Sequence, residues 1–157
     1  MVTGMKQTAS VKLVEKSKAS DFRQATSEAI VGDKPTGITI DGQVLEAAVK
    51  VDSDRYILFT TDDVIFDESL TVTLISLSKG KLESLQIGNE YSSGSFEQLS
   101  VHDEYICFNF IGHSVWVIKV NGSPKLRFPF VSDTHGVKRS SGLKAHLSID
   151  AKPCPSI

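Results

Sequence analysis

The chain has 157 residues, 40% hydrophobic and 23% charged, which suits one domain over 1–157 with its own core and excludes wholesale disorder. Two cysteines, Cys107 and Cys154, are too few for a disulfide scaffold, and no apolar run reaches signal-peptide or membrane-span length, so the chain is read as cytoplasmic and away from membranes. The net charge of −2 is unevenly spread: +2 over residues 1–40, −9 over 41–104 and +5 over 105–157. A −9 stretch argues against contact with nucleic acid there and suits a basic protein partner.

In chain order, "VKLVEK" reads as a short strand. In "SDFRQATSEAIVGD", Phe22, Ala25, Thr26, Ala29 and Ile30 fall on one helical face. Ser20 is placed to cap, Asp21 to suit the dipole and Gly32 to stop the turn, so a helix is expected over about 20–31. From residue 37 period two takes over. "GITI" and "QVLEAAV" flank Asp41-Gly42, which predicts a hairpin. "RYILFTT", "LTVTLISLS", "KLESLQI", "FEQLSV", "EYICFNFI", "SVWVIKV" and "KLRFPF" follow, with turns at Lys79-Gly80 and Asn121-Gly122. The expected fold is mainly β and antiparallel, with one N-terminal helix. The segment about 150–157 reads as a flexible tail.

Residues 54–61, "DRYILFTT", are echoed at 103–110, "DEYICFNF": Tyr56, Ile57 and Phe59 match Tyr105, Ile106 and Phe108, Leu74 matches Trp116, and Gly80 matches Gly122. Two four-stranded meanders follow, over 43–88 and 96–130. Their order of strands and the Gly turn before the last strand resemble blades of a β-propeller, which implies a repeated unit. Two blades cannot close a ring of four to eight, so a sandwich or half-propeller is expected. Ile106, Phe108 and Phe110 point one way and Tyr105, Cys107 and Ile111 the other, so the second strand of each unit asks for cover on both faces. The helix, the C-terminal segment or another chain are the candidates for that cover.

The two units differ by an insertion. Between the matched Tyr and Gly the first is seven residues longer, at "DDVIFDES". Asp62, Asp63, Asp67 and Glu68, with Ile65 and Phe66 as apolar anchors, are the candidate partner-binding residues. The competing account is a solvated connection pinned by Val64 and Phe66. The stretch lacks the alternating Asp/Asn and central Gly of a calcium loop. No metal is expected, since His102, His113, His135 and His146 make no HxxxH or HExxH and the cysteines make no CxxC. Asp133 and His135 in "SDTHG" have no nucleophile beside them. No phosphate loop, GxSxG elbow or dinucleotide fingerprint is present, so no cofactor is expected. The basic residues Lys125, Arg127, Lys138, Arg139 and Lys144 are scattered and read as a solvated face.

These features suggest a non-enzymatic protein-binding module. In size and style the chain resembles bacterial toxin-immunity proteins, which implies occlusion of a basic partner, such as a toxin nuclease, by the acidic first unit. The alternatives are a small enzyme or ligand binder with a pocket between the sheets near Tyr56, Tyr105, His113 and Asp133, or a structural protein that dimerises.

Overall fold

A computed structural model describes residues 4–17, 25–62, 69–88, 96–110, 114–126, 137–139 and 144–153, and every regular element among them is a β-strand. Alternating apolar and polar residues, rich in Val, Ile, Thr and Phe, favour pleated pairing. β1 (Lys6–Gln7), β5 (Val44–Lys50), β6 (Arg55–Thr61), β7 (Leu70–Ser76), β8 (Gly80–Ile87) and β12 (Val137–Arg139) make a six-stranded sheet in the order β1-β5-β6-β7-β8-β12. β9 (Glu97–Val101), β10 (Tyr105–Asn109), β11 (Ser114–Leu126) and β13 (Lys144–Pro153) make a second, ordered β13-β11-β10-β9. β2 (Val11–Ser17), β3 (Thr26–Val31) and β4 (Lys34–Asp41) make a third. All three sheets are antiparallel.

The six-stranded sheet lies in the middle. On one face Val49, Ile57, Phe59, Leu70, Val72, Leu74 and Leu85 pack against Ile106, Phe108, Trp116, Ile118 and Leu147 of the four-stranded sheet. On the other face Ala48, Tyr56, Leu58 and Ile75 pack against Val11, Ala29, Ile38 and Ile40 of the three-stranded sheet. All seven residues of β7 are buried in consequence. The matched pairs of the sequence echo meet at the first interface: the rings of Phe59 and Phe108 are 5.3 Å apart at 69°, and Phe96 lies 5.0 Å from Phe59 and 5.3 Å from Phe108. Glu83 of β8, only 4% exposed, accepts the Leu147 N–H at 2.7 Å and ties the two sheets together. Cover on both faces is thus found for β6, on one from the four-stranded sheet and on the other from the three-stranded sheet. For β10 only Ile106, Phe108 and Phe110 turn inward; Tyr105 is exposed and Cys107 half-buried on the outer face.

Five local expectations need correction. The helix over 20–31 is not observed: 26–31 is strand β3, and 18–24 lie outside the described residues. Ala25, Ser27 and Ala29 also fit period two, and β2 and β4 pair with β3 on both sides, so neighbours decide between two admissible periods. Gly32 serves instead in a two-residue hairpin with Asp33, at φ 59° and 63°, the positive values a type I′ turn requires. Asp41-Gly42 makes no hairpin: β4 and β5 belong to different sheets, and the chain steps between layers there. Asn121-Gly122 lies inside β11, whose pairing with β13 shifts register between Val120 and Lys125. The first unit is a four-strand meander, β5 to β8, whereas the fourth strand of the second sheet is β13 and not the stretch after residue 124. Residues 150–153 pair with β11, and 154–157 lie outside the described residues.

Two aspartates organise the turns where β6 begins. The Asp52 carboxylate accepts the Asp54 and Arg55 N–H groups at 2.9 and 2.7 Å and the Arg55 Nε–H at 2.7 Å. That of Asp54 accepts the Ser76 hydroxyl and the Ser78 N–H and hydroxyl, at 2.9 and 3.1 Å for the last two. Burial pushes Asp52 up, but its hydrogen bonds and Arg55 outweigh that and hold it below the ordinary 3.8. The Ser76 hydroxyl, helped by Ser78, likewise holds Asp54 low against some desolvation and the nearby Asp52 charge. A carboxyl with a depressed folded pKa stabilises the fold above its unfolded value and loses that contribution as pH falls through the folded value. Asp54→Asn is therefore expected to lower stability at neutral pH and to flatten the decline below about pH 4, measured by urea unfolding across the acid range.

Candidate partner-binding site

β6 ends at Thr61 and β7 begins at Leu70, and these two residues are the last Cα partners of the pair. The acidic connection thus leaves and re-enters one end of the central sheet. Asp62 is described and half-buried; Asp63, Ile65, Phe66, Asp67 and Glu68 lie outside the described residues. The Glu46 carboxylate and the backbone of Asp41 stand at the same end. The Thr61 hydroxyl donates to Glu46 Oε1 at 2.7 Å, and the Thr60 hydroxyl donates to the Asp41 carbonyl at 2.8 Å. Glu46 is exposed and Asp41 half-buried.

The step at Gly42 brings Asp41 there. Gly42 donates its N–H to the Ala25 carbonyl at 2.7 Å and accepts the Ser27 hydroxyl at 2.7 Å, while Gln43 N–H reaches the Thr61 carbonyl at 3.0 Å. These bonds hold the end of β4 against the end of β6. Val44, the Cα partner of Thr61, is 41% exposed at this strand end. The ion pairs of the described residues are Lys12–Asp33, Lys16–Glu28 and Arg55–Asp52, so neither Asp41 nor Glu46 is neutralised by a described cation.

Of the residues considered for a pocket, Tyr56 and Tyr105 lie on different layers. Tyr56 packs against the three-stranded sheet, while Tyr105 sits on the outer face of the four-stranded sheet and stacks on His102, with ring centroids 4.3 Å apart. The Ser100 hydroxyl lies 2.9 Å from His102 Nε2. His113 and Asp133 lie outside the described residues. Among the described residues no group of three or more His, Cys, Asp or Glu is placed to hold a metal ion, and no helix is long and apolar enough to cross a membrane. Asp41 and Glu46 were missed in the sequence; only the position of Glu46 two residues beyond Val44 on a period-two strand hinted at a shared rim. No protein-family model, no curated protein and no solved structure matches this chain.

Proposed function

We propose that the chain is a non-enzymatic protein-binding module that presents its acidic end to a basic partner. The observation that carries this is that Glu46 and the backbone of Asp41 are hydrogen-bonded to Thr61 and Thr60 at the strand end from which the chain continues into Asp62, Asp63, Asp67 and Glu68. A rim of one sign concentrates field at its mouth and raises association rates by roughly 10- to 1000-fold. In this reading the stretches β5–β8 and β9–β11 are related and the insertion that distinguishes them is the contact. Occlusion of a cationic cleft, as in the toxin-immunity proteins the chain resembles, is the mode proposed, with a nuclease as the partner class.

The test is a partner captured from the native source and then measured against two forms of the chain. Reversal of Asp62, Asp63, Asp67 and Glu68 to Lys is expected to slow association about tenfold or more at low salt. The gap should narrow as ionic strength rises. A variant that unfolds like the parent and associates at the same rate at every salt concentration would remove the acidic end from the interface.

A further inference from the structure

The opposite end of the central sheet carries a different feature. β1 and β5 pair with Lys6 directly opposite Lys50, so both side chains leave the same face of the sheet. Like charges opposite one another in an antiparallel pair repel and weaken it. Here the pair in question is a two-residue edge strand that anchors the buried Met5. Neither lysine forms an ion pair with a described residue.

Both line an open cleft of about 200 Å³, together with Gly4, Val51, Asp52 and Ser53. The lining contains one carboxylate, and it is committed: Asp52 receives the Arg55 guanidinium and two backbone N–H groups. Lys6, Lys50 and the exposed Ser53 thus stand on the lining beside Val51, and the two lysines bring positive charge to the cleft. Such a set donates hydrogen bonds and positive charge, and a concave wall focuses the field.

We propose that this cleft is an oxyanion site that receives a phosphate-sized group between Lys6 and Lys50. A dianion placed there turns a repulsive cross-strand pair into two attractions and fastens β1 to the sheet. The inference is independent of the acidic end, which lies at the other end of β5 and β6. Asp103, whose carboxylate packs against Gly4 from outside the cleft lining, opposes the anion and limits its affinity.

The probes are inorganic phosphate and glycerol 3-phosphate, each titrated against chloride at matched ionic strength. Amide chemical shifts and thermal unfolding give the readout. Saturable shifts at Lys6, Val51 and Ser53 with a rise in Tm are expected. Tighter binding of inorganic phosphate assigns the site to the free anion, and tighter binding of the ester assigns it to a phosphorylated molecule; either supports the site. Lys6→Gln and Lys50→Gln, at exposed positions, should each weaken binding about tenfold. In phosphate-free chloride they should unfold no earlier than the parent, because the repulsion is gone. Asp103→Asn should bind more tightly. Absence of a saturable shift, or one unchanged when both lysines are replaced, would overturn the site.

Discussion

Phe59→Ala is expected to cost about 3–5 kcal/mol of unfolding free energy, a large share of the stability of a domain this size. Phe59 is fully buried where the central and four-stranded sheets meet, so truncation leaves a cavity in the apolar layer between them. It also ends two ring contacts, with Phe96 and Phe108. Edge-to-face pairs contribute about 0.5–1.5 kcal/mol beyond buried area, so Phe59→Ala and Phe108→Ala should be non-additive in a double-mutant cycle measured by urea unfolding. Tyr105→Ala makes the contrast. At 37% exposure on the outer face, its loss should cost about 1 kcal/mol or less. Equal costs at Phe59 and Tyr105 would contradict the layered arrangement.

Gly42→Ala should be a damaging substitution despite its small size, at about 3 kcal/mol or more. The residue has φ of 117°, which an L side chain rarely adopts, and an added Cβ would stand 2.5 Å from the Thr60 Cβ and closer still to its hydroxyl. Thr60 has no room to retreat: it is fully buried and donates to the Asp41 carbonyl. Gly37→Ala separates strain from crowding. Its φ is 74°, yet nothing lies within 4 Å of the added atom, so about 1 kcal/mol is expected there. If the two variants prove equally stable in thermal and urea unfolding, close contact at the layer step is not what demands glycine at position 42.

Strands with continuous alternation or long apolar runs were legible before any coordinates, because their period admits one reading: β5 to β8, β10 and the first half of β11 fall where the pattern puts them. So was the need for double cover, since β6 has no polar face to give to water. Where two periods coexist, as at Ala25, Ser27 and Ala29, composition cannot choose, and pairing with β2 and β4 does. The two Gly dipeptides failed for a related reason. Asp41-Gly42 and Asn121-Gly122 mark positions of unusual backbone freedom, but whether the chain reverses, changes layer or bulges there depends on distant partners: Thr60 and Ala25 in one case, β13 in the other. The acidic insertion was visible as a difference in length between two similar stretches. That the Asp41 backbone is bonded at the strand end from which this insertion departs was not, because that follows from the step at Gly42.

The layering also has a consequence in time. The three-stranded sheet occupies residues 11–41, the main body of the central sheet 44–87, and the four-stranded sheet 97–153. A chain growing from its N-terminus therefore completes one cover before the central sheet exists and the other only afterwards. Between those moments Phe59, Leu70, Val72 and Leu85 form an open apolar wall on a sheet whose β8 edge still lacks β12. That half-built molecule is the form most exposed to chaperones and to association with its own copies. The time taken to translate the last third of the chain sets how long the exposure lasts.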